Sequence, residues 1–227
     1  MKILALDTST PYCSLALWLD GEILCREAEV GQRHAELILP QLAELLAAGG
    51  VSLRQLDGIA YGEGPGSFTG LRIACGVAQG LSLGADLPVA GISTLLALAE
   101  GAQAEQVIAC LDARMGEVYH GIYQRRDGDW QTVSPPGLYH PGDAPLVSGA
   151  AWVGCGSGFA MAGGDLHRRY AGALQRVAAT LFPSARFIAP LAAPVFAAGA
   201  GRDAATAVPV YLRDKVALKT CERSPHG

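Results

Sequence analysis

Tyr61-Gly62-Glu63-Gly64-Pro65-Gly66-Ser67-Phe68-Thr69-Gly70-Leu71-Arg72 is the stretch on which the reading of this chain turns. Four glycines and a proline within nine residues exclude an ordinary helix or strand there. Glycine serves where φ must be positive or where another backbone comes close, and Pro65 stiffens the turn. Upstream, Gly58-Ile59-Ala60-Tyr61 reads as a short buried strand. Downstream, Phe68 to about Ala85 carries Leu71, Ala74, Val77, Ala78 and Leu81 at helical spacing. Strand, glycine-rich loop and helix start is an arrangement in which backbone N–H groups can face an anion. It is equally a tight turn that aims the helix. Neither standard nucleotide loop is present: no lysine follows a glycine, and Ser67 or Thr69 stands where a third glycine of G-x-G-x-x-G belongs. Gly76, Gly80 and Gly84, four apart, form a stripe without side chains on one helix face. Each costs about 1 kcal/mol relative to alanine in a helix interior, so a close neighbour is expected on that face.

Working outward to the start of the chain, Lys2–Asp7 reads as a strand ending in the small polar cluster Asp7-Thr8-Ser9-Thr10. Residues 13–19 and 22–29 read as a hairpin turned by Asp20-Gly21. His34 to Ala48 reads as a helix with Ala35, Ile38, Leu42 and Leu45 or Leu46 inward, kinked at Pro40 or starting there. A strand at 88–92 and a helix opened by Ser93 or Thr94 follow the glycine loop and its helix. From Gln106 the order begins again. Strands are expected at 107–112, 117–124 and 130–133, and the Pro/Gly-rich 135–149 is expected to be irregular with at most a weak helix. Beyond it come a strand at 151–155, a helix at 166–181, a strand at 185–188 and a helix at 189–200. Two copies of βββαβαβα, residues 1–104 and 105–227, describe two ribonuclease-H-like lobes of an α/β protein.

Composition narrows the function classes. Of 227 residues, 50% are apolar and 17% charged, a composition that buries a large core. A net charge of −4 with three lysines argues against a protein that grips nucleic acid unaided. Cysteines 13, 25, 75, 110, 155 and 221 include no C-x-x-C pair and fall in apolar runs, which suggests buried thiols in a reducing compartment. No signal peptide or membrane span is read, and a cytoplasmic location is expected.

An actin-type ATPase holds phosphates between two strand–turn–strand elements facing each other across a cleft. Asp7-Thr8-Ser9 fits the first, with Asp7 ordering a metal-bound water and Thr8 or Ser9 donating to an oxygen. The second would be Asp112-Ala113-Arg114-Met115-Gly116-Glu117, where Ala113 and Arg114 crowd a turn that needs glycine. Arg114 reaches an anion through its side chain or simply pairs with Asp112. No G-x-S-x-G or H-E-x-x-H occurs, and the five histidines lack ligand spacing.

Ile3-Leu4-Ala5-Leu6-Asp7-Thr8-Ser9, His34 through Pro40, Gly64 through Arg72, Asp112 through Tyr119 and Pro209-Val210-Tyr211-Leu212-Arg213 together closely resemble the bacterial TsaB (YeaZ) family. The resemblance is strongest over the first 120 residues and weak between about 135 and 205. It implies an actin-like, two-lobed, non-catalytic partner of TsaD. With TsaD and the ATPase TsaE, such a protein serves threonylcarbamoyladenosine formation beside the tRNA anticodon, meeting tRNA only through the complex. The metal-binding histidines of TsaD fall here at Thr94 and Leu98, neither of which holds a transition metal as imidazole does. No cofactor is then required, with ATP or ADP admitted only at the contact with TsaD. The rival reading is a stand-alone actin-fold ATPase or small-molecule kinase.

The two long helices of the first lobe carry more apolar residues than one sheet face covers, which marks an interface. The expected partner surface comprises His34, Leu37, Ile38, Gln41 and Leu45 on the first, with Leu71, Ala74, Gly76, Val77, Gly80, Leu83 and Gly84 on the second. The resemblance implies that TsaD docks there and that the isolated chain forms a homodimer through the same face.

Overall fold

A computed structural model describes residues 1–213. Residues 214–227, which include Cys221 and the polar end of the second lobe, lie outside the described residues. The hairpin and the parallel crossovers build a five-stranded mixed sheet in the order β3-β2-β1-β4-β5. Its strands are β1 (Lys2–Asp7), β2 (Tyr12–Leu19), β3 (Glu22–Glu29), β4 (Gly58–Gly64) and β5 (Val89–Ser93). A second sheet repeats the plan in the order β10-β9-β6-β7-β8. It comprises β6 (Gln106–Arg114), β7 (Glu117–Arg126), β8 (Asp129–Tyr139), β9 (Trp152–Cys155) and β10 (Leu174–Ala178). In each sheet the first three strands are antiparallel and the last two join in parallel. These are the two ribonuclease-H-like lobes expected.

Period-two alternation assigns each strand residue to a face. Leu4, Leu6, Leu15, Leu17, Ile59 and Tyr61 meet α1 (His34–Ala48) and α2 (Phe68–Ala85) on one face of the first sheet. The opposite face is lined by Ile3 and the small Ala5, Ala16, Ala60 and Ala90, and α5 (Ala185–Ala197) lies on it through Ala185, Ile188, Ala189 and Ala192. The last α-helix of the described residues thus belongs to the first sheet. Conversely, α3 (Thr94–Gly101) buries Leu95, Leu98 and Ala99 against Val107, Ala109 and Val153 of the second sheet. The division at 104/105 therefore separates the sheets but not the layers that cover them.

Several expectations are corrected. Pro40 lies within an uninterrupted α1. Ala35 is exposed and His34 takes the inward place. β4 continues through Gly62 and Gly64. β8 runs through Pro135, Pro136 and Gly137, because an edge strand tolerates proline whose missing N–H would face outward. The expected helix at 166–181 is only α4 (Asp165–Arg169), followed by a turn at Gly172 (φ +84°) and β10. The expected strand and helix at 185–200 are one helix, α5. Within the second lobe, a single 3-10 turn at Pro141–Asp143 stands where the first lobe has α1. Among the described residues no helix is long and apolar enough to cross a membrane.

Candidate functional site

The glycine loop closes on the chain's own first turn. Ser67 N donates to the Ser9 carbonyl at 2.8 Å. A Cβ on Gly66 would stand 2.7 Å from that same oxygen, and one on Gly70 would stand 1.8 Å from the Thr8 carbonyl oxygen. Both glycines are therefore needed for close approach to residues 8 and 9. Ser67 also caps α2, its Oγ accepting from Gly70 N. Of the two readings of the loop, the tight turn aiming a helix accounts for these contacts.

Within the first turn one carboxylate oxygen and both hydroxyls are engaged inside the protein. Asp7 Oδ1 accepts from Ser9 N at 3.0 Å and from Ser9 Oγ at 2.8 Å, while Thr8 Oγ1 donates to the Gly70 carbonyl at 2.7 Å. Asp7 and Thr8 are fully buried and Ser9 nearly so. Asp7 Oδ2 has no hydrogen-bond partner. Burial raises the Asp7 carboxyl to about 6, against the opposing pull of the Ser9 bonds. In the second turn, Arg114 and Met115 both adopt positive φ (65° and 55°). Arg114 N donates to Asp112 Oδ1 at 2.7 Å, and its guanidinium lies 3.4 Å from Asp112 Oδ2 while remaining 82% exposed. The carbonyls of Ala113 and Arg114 accept from Arg213 at 3.1 and 3.4 Å. A phosphate needs donors, and this turn directs two acceptors at a cation. A cleft of about 990 Å³ runs between the lobes, and Ser9, Arg114 and Arg213 all line it.

At the positions corresponding to the TsaD histidines, Thr94 is buried and donates to the Pro65 carbonyl, and Leu98 is buried in the core under the second sheet. Among the described residues no three His, Cys, Asp or Glu side chains come together to hold a metal ion.

The helix pair divides sharply. His34 is 6% exposed, and its Nε2 donates to the Thr10 and Tyr12 carbonyls at 2.9 and 3.2 Å. Ile38, Leu45, Leu71 and Ala74 are buried against the sheet. These five belong to the chain's own core and form no outer surface, which corrects their assignment. Leu37, Gln41 and Val77 are half-buried. Gly76, Gly80 and Gly84 are exposed, and a Cβ built on any of them meets nothing within 4 Å. Leu83 beside them is 73% exposed, and Leu39 on α1 is 53% exposed. The stripe therefore faces away from the sheet, leaving a smooth backbone ridge flanked by an isolated leucine.

Sequence reasoning missed the closing segment. Tyr211 lies 5.0 Å, ring to ring, from Phe68, and its hydroxyl accepts from Arg72 Nε at 3.0 Å. Arg213 pairs with Glu117 at 2.7 Å, both largely buried. The motif Pro209–Arg213 was visible, but its partners lie far away along the chain.

Comparison with known proteins is consistent across three measures. A family model described as TsaD, tRNA N6-adenosine threonylcarbamoyltransferase, matches residues 28–146. The tRNA threonylcarbamoyladenosine biosynthesis protein TsaB of Escherichia coli (strain K12) is 42% identical over 229 residues, covering 96% of this chain and 97% of that protein. The protein of the same name from Haemophilus influenzae is 53% identical over 124 residues, 52% of each chain. The solved structure of YeaZ from Pseudomonas aeruginosa aligns with a TM-score of 0.86 at 39% identity, covering 93% of this chain and 99% of that one.

Proposed function

Because this chain belongs to the TsaB (YeaZ) family, whose proteins take part in tRNA threonylcarbamoyladenosine biosynthesis, we propose that it is a non-catalytic subunit that docks on TsaD. In this reading it supports, with the ATPase TsaE, threonylcarbamoyl transfer to the tRNA adenosine beside the anticodon. It works in the cytoplasm and meets tRNA only through the complex. The observation that carries the reading is the outward ridge of Gly76, Gly80 and Gly84 with open space over every Cβ. A helix interior that gives up roughly 1 kcal/mol at each of three glycines recovers it where another backbone approaches. Burying Leu83 and Leu39 at such a contact removes apolar surface from water at about 25 cal/mol per Å². Without a partner, the same ridge packs against a second copy.

The non-catalytic part rests on the two turns, where Asp7 Oδ1 and the Thr8 and Ser9 hydroxyls are engaged inside the protein and the Ala113 and Arg114 carbonyls accept from Arg213. The chain requires no cofactor, and ATP or ADP enters only where it meets TsaD. The stand-alone ATPase or kinase needs phosphate donors at both turns and gains no support from this geometry.

Light scattering on the isolated chain, on a candidate TsaD and on their mixture tests the proposal. The expected result is a homodimer alone and a complex of defined mass in the mixture, which TsaE joins only when both are present. The isolated chain should hydrolyse ATP no faster than a buffer blank. Absence of any complex across micromolar concentrations, or clear turnover by the chain alone, would overturn the reading.

A further inference from the structure

We propose that residues 208–213 form a clasp that ties α2 of the first lobe to the β6–β7 turn of the second and sets the opening of the cleft between them. The segment is held at both ends by different chemistry. On the first lobe, Val210 N donates to the Glu63 carbonyl at 2.7 Å, extending the end of β4. Tyr61 Oη donates to the Val208 carbonyl at 3.3 Å. The Tyr211 ring packs on Phe68, and Arg72, its guanidinium 3.8 Å from the centre of the Phe68 ring, donates to the Tyr211 hydroxyl. Two residues later the chain has crossed to the second lobe. There Arg213 pairs with Glu117 and donates to the carbonyls of Ala113 and Arg114, fixing a turn whose residues 114–116 all have positive φ.

A charge-assisted bond between two largely buried groups is stronger than a surface pair, and the arginine fork suits it to two acceptors at once. Residues 210–213 also line the cleft, so the clasp is one of its walls. Phe68 and Arg72 lie in the first turns of α2, the helix that carries the glycine ridge. A shift of α2 therefore reaches the second lobe through Arg72, Tyr211 and Arg213 without passing through either sheet. The inference stands on these contacts and does not require that the ridge bind TsaD.

Hydrogen exchange on the full chain separates a clasp from two independent local attachments. Local opening appears as faster exchange of the affected amides alone. Arg213→Ala should accelerate exchange in residues 113–117 by about tenfold or more, leaving β4 unchanged. The decisive variant is Arg72→Ala, whose side chain touches only the first-lobe end. It should accelerate the same 113–117 amides, and Tyr211→Ala should do likewise. Arg213→Lys, which keeps a positive charge opposite Glu117, should restore part of the protection. If Arg72→Ala and Tyr211→Ala leave residues 113–117 at the wild-type rate, the segment is no clasp. Equal acceleration throughout both sheets would also overturn the proposal, since it would show general destabilisation instead of a local tie.

Discussion

The two lobes share a strand plan and differ in what covers it. The first sheet is faced by α1 and α2, of 15 and 18 residues. The corresponding face of the second sheet has two 3-10 turns, of three and four residues, and α4 of five, while β8 extends to 11 residues along the edge. One lobe keeps long helices with an outer side, and the other has replaced helix with strand. A helix pair buries one side on its sheet and leaves the other for a neighbour, whereas a short turn has nothing left to offer. On the proposed reading, docking falls to the first lobe and support to the second.

The substitution with the largest expected effect is Gly80→Leu. Its side chain enters open space and leucine is the better helix former, so the melting temperature should rise by about 2–4 °C. A wedge between close backbones should weaken partner binding at least 100-fold, about 3 kcal/mol. Val133→Glu, on the exposed edge strand of the second lobe, should leave binding unchanged. Loss of binding with Val133→Glu would break the comparison.

Acid should act on the lobes with opposite sign. In the second lobe, His120 is fully buried, with its Nε2 2.7 Å from the Tyr170 hydroxyl and its Nδ1 unpartnered, and burial lowers it to about 4. Its unfolded value is about 6.5, so the unfolded chain binds more protons between those pH values. The stability it supplies is complete above pH 6.5 and is lost as pH falls towards 4, on the order of 3 kcal/mol. Asp7, raised to about 6 from an unfolded value near 3.9, does the reverse. The native state holds the proton, so stability falls as pH rises through that window. Asp7→Asn should therefore raise the melting temperature at pH 7.5 by about 5 °C, with the gain vanishing near pH 4. It should also make the remaining acid limb steeper. Melting curves between pH 4 and 8 test both claims, and a gain independent of pH would refute them.

The smallest effect is expected at Arg114. An exposed guanidinium 3.4 Å from its partner contributes little, and Arg114→Ala should change stability by under about 0.5 kcal/mol. Denaturant titration resolves that. A large loss would mean that Arg114 does more than pair with Asp112.

The first lobe was legible because its strands alternate cleanly and α2 repeats its apolar residues every three or four positions. In the second lobe, Leu166, Tyr170, Leu174 and Val177 mimic a helical stripe, and only the turn at Gly172 breaks it. Pro190 and Pro194 made α5 read as two elements, although the helix accommodates both prolines. Pro135 and Pro136 concealed an edge strand. The site was legible in outline: Asp7-Thr8-Ser9 and the glycine loop are turns, and the glycine stripe needs a close neighbour. What the sequence withheld was pairing at a distance. Nothing near Thr8 announces that its hydroxyl serves Gly70, and nothing near His34 announces that its ring holds the Thr10–Tyr12 backbone. The outer glycines and the inner leucines of α2 could be told apart only once the sheet was placed.

The exchange of helices between the lobes has a consequence for how the protein is made. A ribosome delivers β1 to α2 early, yet the alanine-lined side of that first sheet waits for α5, which emerges after the whole second sheet. Through most of translation the nascent chain therefore carries a finished face and a bare one. A cut near residue 104 would leave the same bare face permanently, so the leading half is not a separable module. Premature termination should yield a sticky, protease-sensitive product, and the chain becomes resistant only when α5 returns to the first sheet.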